Sequence, residues 1–93
     1  MVAGALADIS AGLYREVAVD GAVDPVEYQH ALGAALAAQA VAEGQPNLTE
    51  AKAQIDRLVA MWPSVTAPES AEGLSTAAQV QAQASRIRLE AGA

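Results

Sequence analysis

The fold of this chain is decided by residues 48 to 62, which read LTEAKAQIDRLVAMW. Apolar residues recur there at steps of three and four, the spacing that places side chains on one face of an α-helix. The members of this stripe are Leu48, Ala51, Ile55, Leu58 and Trp62, the last being the only tryptophan. Asn47 and Glu50 fit a capping box at the start of the helix, and Pro63 follows its end. The pattern predicts a helix with one apolar face, which other helices must cover.

The composition limits what those other helices can bury. Hydrophobic residues make up 53% of the 93 residues, but 24 residues are alanine, only 20 are Leu, Ile or Val, and phenylalanine is absent. Alanine favours helix strongly but offers little apolar surface to bury. The composition therefore predicts a single helical domain, residues 1–93, with a thin core. Chains with this balance often gain stability by association.

Two helices are predicted before the central stretch. The first covers residues 2–19, with a stripe formed by Val2, Leu6, Ile9, Leu13 and Val17. Gly21 then supplies a turn, and Asp24 followed by Pro25 and Glu27 is typical of a helix start. The second helix extends to about Glu43, and a left-handed cap is expected at Gly44. Its expected apolar stripe is Tyr28, Leu32 and Leu36, beside rows of small residues that would permit close helix pairing.

The second half of the chain predicts a connector and a last helix. The short turn GQPN indicates that the second and third helices form an antiparallel hairpin. Residues 63–74, PSVTAPESAEGL, indicate an extended Pro/Ser connector. Ser75 or Thr76 then caps a helix over residues 75–92, which packs on its own chain or on a neighbouring one. Its heptad-spaced seam consists of Ala77, Val80, Ala84, Ile87 and Ala91.

These elements predict an all-α fold. We expect a small bundle of three to four helices, with the central antiparallel helical hairpin and the extended connector before the last helix. No strand is predicted.

The charge pattern bears on possible partners. The formal net charge is −6, and residues 1–47 alone contribute −5. An acidic surface disfavours nucleic acid and anionic membranes as partners. The first residues lack the basic start of a secretory signal, and no uncharged stretch is long enough to span a bilayer. We therefore expect a cytoplasmic protein, or one within an intracellularly assembled particle.

Few residues suit catalysis or metal binding. Cysteine is absent and His30 is the only histidine, so a zinc site has no ligand set. Phosphate-binding glycine motifs and nucleophile–histidine pairs are also missing. We expect no enzyme activity, no cofactor, no metal and no catalytic residue.

One segment, LYREVAVDGAVDPVEYQHAL, resembles an EF-hand, in which a calcium loop lies between two helices. Six residues match that family's loop pattern: Asp20, Gly21, Val23, Asp24, Glu27 and Tyr28. The front of the loop departs from the pattern, since its first and third positions fall on Glu16 and Ala18. Calcium needs about six or seven oxygen ligands, so the missing carboxylates lower the expected affinity. The resemblance implies a degenerate calcium-responsive protein.

The leading functional hypothesis is a non-enzymatic structural subunit of an oligomer or larger assembly, such as a virion, that works by contact with itself or another protein. The residues predicted to make that contact are Val80, Ala84, Ile87, Arg86, Arg88 and Trp62. The first alternative is a small acidic regulator or inhibitor that occupies a partner's basic surface. The second alternative is the calcium-responsive protein just described.

Overall fold

The computed structural model describes residues 2–19, 21–45 and 49–90, without the side chain of Val2. Within these ranges it is mostly helical, with four helices and one short β-hairpin. The elements are α1 (Val2–Tyr14), β1 (Ala18–Val19), β2 (Ala22–Val23), α2 (Pro25–Glu43), α3 (Thr49–Val59) and α4 (Ala77–Glu90). None of the four described helices combines the length and the apolar character needed to cross a membrane. The all-α prediction is confirmed at this level.

The helices form a small bundle around one core. The main contacts of α2 are with α1 and α3, and those of α4 are with the same two helices. Buried side chains from all four helices belong to one hydrophobic cluster. Each helix is therefore held on two sides, which is the packing of a four-helix bundle.

The buried faces of α1 and α2 consist mainly of alanine, and we call them together the alanine interface. Its fully or almost fully buried members are Ala3, Ala7 and Ala11 of α1 and Ala31, Ala35, Ala38 and Ala42 of α2. The α1 set follows steps of four and the α2 set follows steps of three and four, so each forms one stripe. In the middle, the buried Ser10 hydroxyl donates a hydrogen bond to the Ala31 carbonyl at 2.7 Å. Because the side chains are small, the two helix backbones can approach closely.

The predicted apolar stripes of α1 and α2 were therefore partly wrong. Ile9 is 53% exposed and Leu36 is 42% exposed, while alanines fill the core positions. Tyr28 and Leu32 are buried as predicted. The error arose because the prediction assigned the largest apolar residues to the core, whereas close helix packing selects the smallest ones.

The first helix also ends five residues earlier than predicted, and the prediction that the chain contains no strand was wrong. Beyond Tyr14, β1 and β2 pair antiparallel, with Ala18 opposite Val23 and Val19 opposite Ala22. Gly21 adopts a φ of +80°, which favours glycine over other residues. The Asp24 amide also donates to the Val17 carbonyl, at 2.8 Å. The hairpin thus fixes where α2 starts relative to the end of α1.

The caps of α2 differ at its two ends. Asp24 accepts hydrogen bonds from the amides of Val26 and Glu27, as the N-terminal signal predicted. The left-handed cap predicted at Gly44 was wrong, since its φ is −84°. The chain instead continues through a turn in which the Gln45 amide donates to the Ala42 carbonyl.

The central stripe is confirmed where it is described. Ala51, Ile55, Leu58 and Trp62 are all buried, although α3 itself ends at Val59. Asn47 and Leu48 lie outside the described residues, so the predicted cap at that end has no structural counterpart to compare.

The start of α4 is confirmed at Thr76. The Thr76 hydroxyl accepts from the Gln79 amide, and the Gln79 side chain accepts from the Thr76 amide. This is a reciprocal capping box. The helix ends at Glu90, and residues 91–93 lie outside the described part of the chain.

The alanine interface makes a testable prediction. Ala35→Leu should lower the free energy of unfolding by about 1–3 kcal/mol, because added methylene groups force apart helices that are close together. The variant Ala53→Leu adds the same side chain at an exposed position of α3, and should change stability by less than about 0.5 kcal/mol. Urea unfolding followed by Trp62 fluorescence measures both. Equal effects would show that α1 and α2 are not closely packed at Ala35.

Candidate functional site

The predicted contact residues of the last helix occupy two different environments. Val80, Ala84 and Ile87 have no exposed surface, and α4 packs them against α1 and α3 of the same chain. The isolated chain therefore covers the seam itself, and a partner would have to displace α4 to reach it. Of the predicted contact residues on α4, only Arg86 and Arg88 are exposed and accessible to another molecule.

The two arginines differ in their local partners. Arg88 forms a salt bridge with Asp8 of α1. Arg86 donates to the side-chain oxygen of Gln83 at 3.3 Å, and Gln83 donates in turn to Gln54 of α3. Exposed ion pairs of this kind contribute little stability. The contacts of Arg88 with Asp8 and of Gln83 with Gln54 join α4 to α1 and α3 respectively.

Trp62, the sixth predicted contact residue, lies in the core. It is 6% exposed, and its ring packs edge-on against Tyr14, with centroids 5.3 Å apart and an interplanar angle of 86°. This geometry is favourable for aromatic pairs. The indole N–H has no hydrogen-bond acceptor among the described residues. Trp62 therefore joins the end of α3 to the end of α1.

Residues 60–76 join α3 to α4, and hydrogen bonds from two tyrosines hold this segment. The Tyr28 hydroxyl donates to the Ser64 carbonyl and the Tyr14 hydroxyl donates to the Ser75 carbonyl, both at 2.6 Å. The Gln29 side chain also donates to the Val65 carbonyl. The two ends of the segment are thus attached to α1 and α2.

The middle of the same segment pairs with the β-hairpin. The Val23 amide donates to the Glu69 carbonyl at 3.3 Å, and the Ala71 amide donates to the Gly21 carbonyl at 3.0 Å. Ala22 and Ser70 form an antiparallel bridge between them. The segment therefore lies along its own chain, and the sequence offered no strand signal that would have located this contact.

The EF-hand-like residues lie in and after the hairpin. Asp24 uses a side-chain oxygen to cap α2, and Asp20 lies outside the described residues. Within the described ranges, no three His, Asp or Glu side chains are close enough to share a metal ion. The same ranges contain no ligand-sized cavity. Calcium binding stays a prediction.

The charged residues divide the bundle into two unlike sides. The only charged residue of α1 is Asp8, and α2 has acids only near its ends, at Glu27 and Glu43. The other two helices carry Glu50, Lys52, Asp56, Arg57, Arg86, Arg88 and Glu90. The outward surface of α1 and α2 is therefore uncharged over most of its length. The sequence signal for it is the absence of acidic and basic residues from Tyr28 to Ala42.

The tyrosine contacts make a second testable prediction. Burial raises the pKa of Tyr14, and the nearby Tyr28 adds to the shift. The folded protein therefore holds this proton more tightly than the unfolded chain does. The resulting stability is complete below the usual pKa of about 10 and is lost as pH rises through the raised folded-state pKa.

Tyr14→Phe should cost about 0.5–1.5 kcal/mol at neutral pH, through loss of the bond to Ser75. It should also reduce the further fall in stability above about pH 10. Urea unfolding at several pH values measures both effects, with Tyr28→Phe as the variant that removes the bond to Ser64. An unchanged alkaline slope in Tyr14→Phe would contradict the assignment.

Comparison with known proteins adds no relative to this description. No protein family, no curated protein and no solved structure matches the chain. The function is therefore argued below from the surfaces and contacts of the chain itself.

Proposed function

We propose that this protein is a non-enzymatic helical subunit that acts by contact with other protein in an oligomer or larger assembly. One observation carries the proposal: alanine makes up half of the buried hydrophobic residues, while six large hydrophobic residues are exposed. Nine of the 18 buried hydrophobic residues are alanine. The exposed large hydrophobic residues among those described are Ile9, Val19, Val26, Leu36, Val65 and Leu89.

In the isolated chain, the exposed hydrophobic side chains contribute no free energy of burial. Burial stabilises by about 25 cal/mol for each Å² of apolar surface, or roughly 1.5–3 kcal/mol for a whole Val, Leu or Ile side chain. Alanine gives much less. A protein contact that covered several of the exposed side chains would add the burial that the core lacks. This supports association with another protein chain as the function of these exposed side chains.

The finer architecture is also part of the proposal. We infer that α2 and α3 form the antiparallel hairpin predicted from the sequence. Gln39 donates to Asp56 at 2.9 Å, and Lys52 lies 3.7 Å from Glu43. The later α2 residue, Glu43, thus pairs with the earlier α3 residue, Lys52, and Gln39 pairs with Asp56. This order is that of antiparallel helices. We also infer that residues 63–74 act as an extended connector, since tyrosine hydroxyls bond to the chain at Ser64 and Ser75.

The contact surface differs from the one predicted on α4. Val80, Ala84 and Ile87 contribute to folding of the subunit, and Trp62 does the same. Arg86 and Arg88 stay accessible to an acidic partner. The outer side of α1 and α2 carries three of the exposed large hydrophobic residues, Ile9, Val26 and Leu36, whereas α4 carries only Leu89 among those described, so the proposal places the main contact there.

The experiment is light scattering on the isolated chain over a concentration series, with thermal unfolding by circular dichroism alongside. We expect a mass above the 9.4 kDa of one chain, and a melting temperature that rises with concentration, because association stabilises only the folded state. A helical monomer with a concentration-independent melting temperature would contradict the proposal. Titration of that monomer with calcium, read by Trp62 fluorescence, would then test the calcium alternative.

A further inference from the structure

Residues 64–75 are attached to α1, α2 and the β-hairpin, and we call this segment the strap. Among the described residues, every hydrogen bond that attaches it to these elements uses a main-chain atom of the strap. These atoms are the carbonyls of Ser64, Val65, Glu69 and Ser75 and the amide of Ala71. The surface beneath the strap thus recognises an extended main chain rather than particular side chains.

The strap contributes little to the core. None of its side chains is buried, and only Ala67 and Leu74 pack against the hydrophobic cluster, each of them half-buried. Segments with few buried apolar contacts open at a much lower free energy than the core around them. The nearest buried residues on either side, Trp62 and Val80, belong to that core. The strap can therefore leave its site while the helices remain packed.

The charges of the strap do not suit the site. Its only charged residues are Glu69 and Glu72, and the Glu69 carbonyl is bonded to Val23, the neighbour of Asp24. The site is provided by residues 1–47, which contain six acids and one arginine, a net charge of −5. Like charges weaken an association and opposite charges favour it. A segment with lysine or arginine at those two positions would suit the site better than the strap does.

We propose that the surface under the strap is a binding site for an extended, basic segment of a partner chain, and that the strap occupies this site until the partner displaces it. Segments that add to a sheet edge bind mainly through main-chain hydrogen bonds. The tethered strap competes at an effective concentration on the order of millimolar, so the charge of the partner decides the exchange. The contact uses the tyrosines and the hairpin rather than the exposed apolar side chains of α1 and α2, and it goes beyond the proposed function.

The test is an NMR titration of the isotope-labelled full chain with three synthetic peptides. The first peptide has the sequence of residues 63–76, the second carries Glu69→Lys and Glu72→Lys, and the third carries Ala71→Pro in addition. The amide of Val23, which bonds to the strap, and the indole N–H of Trp62, the only tryptophan, report on the site.

We expect the second peptide to bind about two- to tenfold more tightly than the first at low salt, as two exposed ion pairs allow. The gain should disappear at about 1 M salt, where charges are screened. The third peptide has the charge of the second but lacks the amide that donates to Gly21, so it should bind more weakly than the second. Equal binding of the first two peptides would overturn the basic partner.

The chain variant Ala71→Pro tests whether the strap is the competitor. It removes the amide that bonds to Gly21, so the first two peptides should bind it about two- to tenfold more tightly than they bind the wild type. Hydrogen exchange at the Val23 amide should accelerate by a similar factor, while exchange at the Ala35 amide of α2 stays unchanged. The control Ala71→Ser keeps the amide and should behave like the wild type. Faster exchange at Ala35 as well would show that the strap does not open separately from the bundle, and would overturn the proposal.

The outcomes separate this inference from the proposed function. The inference is overturned if no peptide shifts the signals of Val23 and Trp62 at concentrations on the order of millimolar, or if Ala71→Pro binds the peptides no more tightly. An oligomeric chain that binds no peptide keeps the proposed function and loses the site. A monomeric chain that binds the peptides in the expected order supports the site and contradicts the proposed function.

Discussion

The close contact between α1 and α2 is the constraint on which the rest of the structure depends. Alanine lines the contact on both helices, and the buried Ser10 hydroxyl within it donates a hydrogen bond to the Ala31 carbonyl. This contact places Tyr14 and Tyr28 at the same end of the bundle. From there their hydroxyls reach the chain between α3 and α4. A larger side chain in the alanine interface would therefore displace groups well beyond the two helices.

The sequence predicted best those elements whose signals are local. The stripe of α3 and the capping residues Asp24 and Thr76 depend only on residues a few positions apart. A helix start is decided by side chains that bond the nearest free amides. The core face of α1 was predicted only in part: Leu6, Leu13 and Val17 face the core, but the alanine row was missed, because it depends on how near α2 lies. No pattern within α1 contains that distance.

The β-hairpin and the environment of the α4 seam also could not be predicted from local sequence patterns. Val23 and Ala71 bond to residues far away in the chain, and two-residue strands are too short to show an alternating pattern. The seam of α4 was recognised correctly as apolar and heptad-spaced. Whether α1 and α3 or another chain covers Val80 and Ile87 depends on the three-dimensional arrangement, in which the chain's own helices occupy the seam.

The alanine interface also explains why the outer surface is apolar. Helices that approach closely can accept only small side chains between them, so Ile9 and Leu36 had to lie outside the contact. An ordinary surface helix would replace such residues with charged ones, yet α1 keeps one charged residue and the middle of α2 has none. Exposed large apolar side chains contribute no burial free energy to the monomer. They contribute it when another protein covers them. In the proposed subunit, close packing inside and association outside are therefore consequences of one distribution of small and large residues.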